Sequence, residues 1–420
     1  MPDKNSTIIV TGSSGFIGHA VCKAFLSDGY AVIGFDRPGA GEPPAGVTSV
    51  PCDVVSEQSV ADAVNRVRRD FGESIASVIH LAAYYDFSGE PSPLYEQVTV
   101  KGTERLLRWL KTAQLEQFVF SSTMLVHAPC APGEHINEDW PIDPKWDYPQ
   151  SKVQTERLIL AGHGNVPVVL LRIAGVYTDH CKSIPLAHQI QRIYERRLTS
   201  KVFPGDTSTG QSFVHLDDVV GALRATVARR ATLPSEAVIL IGEPDPLSYD
   251  ELQRALAGQI HGERDWDTTQ IPKAVAKAGA WVQDQIPGVE EPFIKPWMID
   301  LADDHYALDI SRARQLLGWS PRHSLRDTLP RMVMALKSDP EGFYRINKLE
   351  GPPPHHEATM TGRVAEQPER HRRGTSARAF RRKAAAGRGC KPRTAAAAGS
   401  RLASRHRTGP YRNAPPLDLA

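Results

Sequence analysis

The stretch Thr11-Gly12-Ser13-Ser14-Gly15-Phe16-Ile17-Gly18 decides the fold. It follows Ser6-Thr7-Ile8-Ile9-Val10, a short β-branched run that reads as a buried strand. It precedes His19 to Leu26, which has the composition of a helix. Three glycines at a spacing of three, set between a strand and a helix, make a turn whose backbone can lie against a pyrophosphate. The helix N-terminus then offers the anion unpaired N–H groups and the positive end of its dipole. Glycine-rich turns are common, and it is the strand–turn–helix setting that points this one at a dinucleotide.

Outward from the turn, strand and helix patterns alternate. Ala31 to Phe35, Ser77 to Leu81, Gln117 to Phe120 and Val166 to Arg172 read as strands, and a further strand ends near Cys52. Gln58 to Asp70, Lys101 to Lys111 and Lys152 to Ala161 read as helices between them. Strands separated by helices of this size imply parallel pairing through right-handed crossovers, hence an α/β, doubly wound parallel sheet of the Rossmann type. Glu236 to Ile241 reads as a later strand, and Tyr249 to Ala257 and Ile310 to Leu317 as helices. The expected division is a dinucleotide-binding domain at 6–177 and 211–243. A smaller, mostly helical substrate lobe takes 178–210 and 244–338, over the C-terminal ends of the strands, and 351–420 forms a disordered basic tail.

Composition supports that division. The net charge of +2 on 420 residues hides a body of net −9 and a segment from Gly351 onward of net +11. A mildly acidic body gives no reason to expect nucleic-acid binding there. The segment after Gly351 has few large apolar residues and cannot offset its ordering entropy, so it reads as disordered, either a tether to nucleic acid or anionic surfaces or a functionless or aberrant extension. Five scattered cysteines without metal-ligand spacing suit a reduced cytoplasmic protein, and no metal site is expected. No signal-like leader opens the chain and no apolar run is long enough to span a bilayer.

Several residues carry chemistry. Asp36 closes the second strand, where a carboxylate can accept hydrogen bonds from both adenosine ribose hydroxyls and would repel a 2′-phosphate. That favours NAD; Arg37 beside it could pair with such a phosphate, which leaves NADP open. Asp53, with Val54, follows the third strand and offers an acceptor to the adenine amino group. Tyr148 and Lys152, four apart, share one helical face, and Pro149 is tolerated if the helix begins near Tyr148. A phenol with an ordinary pKa of about 10 is a poor base at neutral pH. A nearby ammonium and a nicotinamide cation would both lower it. Ser121-Ser122-Thr123 ends a strand with hydroxyls, and His80-Leu81-Ala82-Ala83 leaves room for a cofactor against the backbone, His80 itself fitting a structural histidine.

These features resemble the extended short-chain dehydrogenase/reductase family, the broad group called NAD-dependent epimerase/dehydratase, over about residues 6 to 338. Leu171-Arg172, Phe213 to Asp218 and Leu317-Gly318-Trp319-Ser320-Pro321 add to the match. The resemblance implies that Thr123 is the catalytic hydroxyl, Tyr148 the acid/base and Lys152 the ribose-binding ammonium. It implies cofactor contacts at Gly12, Ser14, Gly15, Phe16, Ile17, Gly18, Asp36, Arg37, Asp53, Val54, Leu81, Ala82 and Ala83, with Tyr148 and Lys152.

The departures concern substrate. Thr99-Val100-Lys101-Gly102-Thr103 stands where the family usually has Asn-Val-x-Gly-Thr. Gln211-Ser212 precede Phe213 where nucleotide-sugar members usually carry Arg-Asp, and Met298-Ile299-Asp300 occupies the neighbourhood of a second arginine. Arginine forks that clamp a diphosphate are not easily replaced, though Lys295 could supply a point charge. Trp281, Phe293, Trp297 and Met298 could line an apolar pocket or belong to the core. The expected activity is hydride transfer between nicotinamide and a secondary alcohol or ketone, as in the hydroxysteroid-dehydrogenase-like members. The alternatives are a nucleotide-sugar epimerase or dehydratase with retained NAD, and a non-catalytic dinucleotide-binding module. The partner is a small-molecule substrate, and a homodimer is possible.

Overall fold

Thr7–Thr11 forms strand β1 with every residue buried, which is what a β-branched run becomes when helices cover both faces of its sheet. The structure, a computed structural model, describes residues 6–86, 89–284 and 295–351. Six more strands join β1: β2 (Ala31–Asp36), β3 (Thr48–Pro51), β4 (Ser77–His80), β5 (Phe118–Thr123), β6 (Val168–Ile173) and β7 (Glu236–Ile241). Their order is β7-β6-β5-β4-β1-β2-β3, and every neighbouring pair is parallel. The chain winds outward from β1 to β3 and returns to place β4 on the other side of β1. That reversal opens a crevice beyond the C-terminal ends of β1 and β4.

Alternate strand residues feed two cores. Ile8, Val10, Ile79, Val119 and Leu171 pack on one face against helix α1 (Phe16–Ser27) and against Leu216–Ala228. Ile9, Ile33, Val78, Phe118 and Leu170 pack on the other face against α2 (Glu57–Phe71), α3 (Lys101–Leu110) and α4 (Asp147–Gly162). A third core belongs to helices α5 (Ile184–Tyr194), α7 (Tyr249–His261), α11 (Leu325–Ser338) and α12 (Pro340–Ile346); here α6 is Leu216–Ala228, α8 Lys273–Asp284, α9 Pro296–Asp300 and α10 Ser311–Leu317. Tyr306, Leu308, Ile310, Leu317 and Trp319 join the first core, beside the sheet.

Two segments singled out in the sequence turn out to hold each other. The buried Asp218 carboxylate accepts hydrogen bonds from the backbone N–H groups of Arg322 (3.0 Å) and His323 (2.9 Å) and from His323 Nδ1 (2.9 Å). Trp319 Nε1 donates to the Asp218 carbonyl at 3.0 Å. Nearby, the His215 Nδ1 accepts the Asp217 N–H, which caps α6. His215, Asp217 and His323 converge there, with side-chain atoms of the metal-ligating type within 4.8 Å of one another.

The helix carrying Tyr148 starts at Asp147, which puts Pro149 in its first turn as expected. A difference is the π-helical turn, Tyr95–Val100, that precedes α3. Among the described residues no helix is long and apolar enough to cross a membrane. The expected basic tail lies, beyond Gly351, outside the described residues, as do Phe293 and the side chain of Trp281.

Helix α4 is fastened from below. Glu156 and Arg172 are both buried; Arg172 Nη2 lies 2.7 Å from Glu156 Oε2 and Arg172 Nε 3.1 Å from Oε1. Arg172 Nη1 also donates to the Glu138 carbonyl (2.9 Å) and to His127 Nε2 (3.0 Å), and Ser122 donates to Glu156. His127 donates through Nδ1 to the Trp140 carbonyl; burial, with Arg172 beside it, pushes its pKa down to about 4, so it is a neutral acceptor for the guanidinium. Removing one partner of a buried pair strands the other charge. Arg172→Met is expected to destabilise the fold by about 3–5 kcal/mol in denaturant unfolding, and Arg172→Met with Glu156→Leu to recover most of that loss.

Candidate active site

The crevice begins where Thr11 ends β1. The Thr11 hydroxyl accepts the backbone N–H groups of Leu81 (3.1 Å) and Ala82 (3.0 Å) and lies 2.7 Å from His80 Nδ1. His80 Nε2 lies 2.8 Å from Thr103 Oγ1, which donates to the Thr99 carbonyl at 2.6 Å. Burial pushes the His80 pKa down to about 3, with Lys152 adding to the effect. The ring is therefore neutral: it accepts from Thr11 at Nδ1 and donates to Thr103 at Nε2. His80 is a structural strut between β1, β4 and α3. Thr99, in the place of the family's asparagine, accepts the Tyr84 N–H at 3.0 Å and so holds the segment leaving β4.

The glycine turn fills the space above this strut. Gly12 sits at φ +71°, a region that disfavours side chains, and a Cβ there would lie 3.3 Å from the Ala82 nitrogen. A Cβ on Gly18 would lie 2.0 Å from the Gly12 carbonyl oxygen, so the helix can approach the turn only without one. Gly15 is the N-cap of α1 and uses no side chain to cap it, which leaves the first N–H groups of Phe16 and Ile17 for a ligand. The Asp36 carboxylate stands at this turn, accepting from the Ser13 hydroxyl, from the Ser14 hydroxyl (2.9 Å) and from the Ser14 N–H (3.3 Å). Leu81 and Ala83 are buried, Ala82 is half-buried, and Arg37 is exposed. Asp53 accepts the Val55 N–H at 3.0 Å, closing a tight turn, and Val54 is buried beneath it.

Beyond β5 lie the three residues expected to do chemistry. Thr123 ends β5, its Oγ1 accepts the Leu125 N–H at 3.3 Å, and it stands close enough to the Tyr148 phenol to favour its ionisation. Lys152, one turn along α4, donates to the Ser121 carbonyl at 2.7 Å, and its Nζ lies 5.6 Å from the Tyr148 ring centre and 4.8 Å from that of Phe120. Burial pushes the Lys152 pKa down to about 7, against the opposing pull of Glu156. Burial also pushes the Tyr148 phenol well up, while Thr123 lowers it. The sequence reading expects the lysine to bring the tyrosine down. Burial dominates instead, and it acts against the charged form of both groups.

That cover is aromatic, and the sequence reading missed most of it. Tyr85 meets Tyr148 edge-on with ring centres 4.8 Å apart. Trp146 lies 5.4 Å from Tyr148 and 5.0 Å from Trp297, whose indole rests against Gly89. Glu156 was legible four places after Lys152, a helical neighbour of a residue already singled out, whereas Trp146 stands in extended backbone at the N-cap of α4, where no helical spacing ties it to Tyr148. Tyr85 carries no such signal.

Comparison with known proteins settles the family. The model of the NAD dependent epimerase/dehydratase family matches residues 8–242. The chain belongs to that family. It is similar to the UDP-glucuronate 4-epimerase of Thermodesulfobacterium geofontis, 26% identical over 345 residues, covering 77% of this chain and 94% of the relative. It is as similar to the 3 beta-hydroxysteroid dehydrogenase/Delta 5-->4-isomerase of Mycobacterium tuberculosis, 26% identical over 356 residues, covering 78% and 90%. Among solved structures, the UDP-glucuronic acid 4-epimerase from Bacillus cereus in complex with UDP-glucuronic acid and NAD shares the fold, with a TM-score of 0.60, 23% identity, and coverage of 79% of this chain and 99% of that one.

An enzyme of the epimerase/dehydratase family takes NAD as its cofactor, and the residues here fit it. The turn is closed to side chains at Gly12 and Gly18, open N–H groups face outward at the start of α1, and a carboxylate stands at the end of β2. Lys152 yields a pH test. With a pKa of about 7 the free enzyme has lost its ammonium above that pH, whereas hydrogen bonds from an ammonium to ribose hydroxyls favour the charged form. NADH binding is therefore expected to take up about one proton at pH 8 and almost none at pH 6, weakening as pH rises above neutrality. Calorimetry in buffers of different ionisation enthalpy checks this, and Lys152→Met should abolish the uptake.

Proposed function

We propose that this protein is an NAD-dependent dehydrogenase or reductase that moves a hydride between nicotinamide and a secondary alcohol or ketone on an apolar substrate. The aromatic cover over Tyr148, made by Tyr85 and Trp146 and extended by Trp297 against Trp146, carries the reading. Rings at the acid/base favour a flat apolar body, whose burial contributes roughly 25 cal/mol per Å². Gln211 and Met298 agree with it, because neither can form the charged fork that clamps a diphosphate.

The hydroxyls of Thr123 and Tyr148 converge, so a substrate oxygen can meet both. Thr123 orients that oxygen with one hydrogen bond. In oxidation Tyr148 accepts the hydroxyl proton at its phenolic oxygen, and in reduction it returns one. Lys152 binds ribose through its ammonium, and the charge gained on binding favours the phenolate beside it. Nicotinamide, when bound, accepts or supplies the hydride. Glu156, fixed by Arg172, keeps negative charge near Lys152 and supports its protonation. Buried free thiols at Cys22, Cys52, Cys130 and Cys181 support action in a reducing, cytoplasmic compartment.

A second reading, nucleotide-sugar epimerisation with retained NAD, draws on the similarity to the Thermodesulfobacterium enzyme and uses the same residues. One assay separates the two. Purified protein with NAD and a panel of hydrophobic secondary alcohols is expected to produce NADH, and Tyr148→Phe to slow turnover by about 10²–10⁴-fold while still binding NADH. Conversion of UDP- or TDP-sugars without net reduction, and inertness toward the alcohols, would reverse the assignment.

A further inference from the structure

Between Tyr177 and α5 the chain makes a tight loop at 178–182. Cys181 and Lys182 both lie at positive φ, +72° and +51°. Two consecutive left-handed residues that are not glycine cost free energy, and such a conformation persists only where its surroundings impose it. The surroundings do. Thr178 and Cys181 exchange backbone hydrogen bonds (2.8 and 2.9 Å), and Cys181 is buried. The buried Asn347, at the end of α12, accepts the Lys182 N–H at 2.7 Å and donates to the His180 carbonyl at 3.1 Å. The loop is thus clamped through its backbone, and the Lys182 side chain stays exposed.

The clamp aims that side chain at the cofactor cradle. Lys182 Nζ lies 5.2 Å from the ring centre of Phe16, the first residue of α1, directly after the N-cap Gly15. Its charge is felt one turn further along. The His19 pKa is lowered by burial, then by Lys23 and Lys182. The carboxylates at hand are engaged elsewhere: Asp179 pairs with Arg331 at 3.2 Å, and Asp36 with the turn serines.

We propose that Lys182 is a cofactor-binding residue, a point charge that the strained 178–182 loop holds at the N-terminus of α1 to pair with the dinucleotide's diphosphate. The glycine turn supplies N–H groups and a helix dipole but no full charge; Lys182 supplies the charge. The contact also ties the segment leading into α5 to the bound cofactor. The proposal rests on NAD as the cofactor and is independent of which substrate is oxidised.

Competition binding against NADH fluorescence tests it with probes that differ in phosphate. Lys182→Gln is expected to weaken NADH and ADP-ribose about tenfold at low salt, as loss of a charge-assisted contact does, to leave adenosine unchanged, and to flatten the salt dependence of ADP-ribose binding. Lys182→Arg should restore most of the affinity. If Lys182→Gln binds ADP-ribose as tightly as the native protein, or loses adenosine and ADP-ribose in equal measure, Lys182 serves only to pack on Phe16 and the proposal fails. Neither outcome decides which substrate is oxidised, a question that the alcohol assay of the native protein answers on its own.

Discussion

The bidentate pair between Glu156 and Arg172 is the contact on which the site depends. It joins α4, which carries Tyr148 and Lys152, to β6, the strand next to the edge strand β7. A buried ion pair is a poor source of stability, since desolvation consumes most of its attraction. What it supplies is a fixed rotation of α4. A slip of one residue along the helix would turn Tyr148 away from Thr123 by about 100°. An apolar contact tolerates small slides, whereas a fork matched to a carboxylate does not. The same carboxylate lies one turn from Lys152, so the contact that orients the helix also supports the charge of the residue it presents.

Burial sets the other half of the chemistry. Lys152 and Tyr148 are under-ionised for their task in the free protein, and both for the same reason. Desolvation outweighs the effect of one on the other. On the proposed roles, a bound ribose and nicotinamide ring would bring the hydroxyls and the charge that shift both groups, and the acid/base would become competent with the cofactor in place. Cofactor binding and acid/base readiness are then one thermodynamic event, read out as a bound proton.

Much of this was legible in the residues. The period of the strands and the glycine turn give a doubly wound sheet, and Tyr148 with Lys152 gives the chemical pair, because short-range patterns encode both. Other parts were not. Asp36 read as a ribose acceptor, yet its partners in the free protein are Ser13 and Ser14, and no spacing announces that. Trp146 and Tyr85 close over Tyr148 from separate loops, and Asn347 grips a loop more than 160 positions away in sequence. Contacts of that span are set by the packing of the third core, which carries no local signature. The direction of the Tyr148 shift was read from its neighbouring charge, when burial decides it; burial is a property of the folded chain alone.

The claim at the centre of this account is that Tyr148 and Lys152 serve net hydride transfer to an apolar carbonyl. Its most direct test is a single turnover of NADH, deuterated on the transferring face of its nicotinamide, with a hydrophobic ketone, followed by mass spectrometry of the product. Deuterium on the carbinol carbon, in an alcohol formed in step with oxidised cofactor, is the predicted result. An unlabelled ketone returned unchanged, while a UDP-sugar is converted with no net loss of NADH, would contradict it.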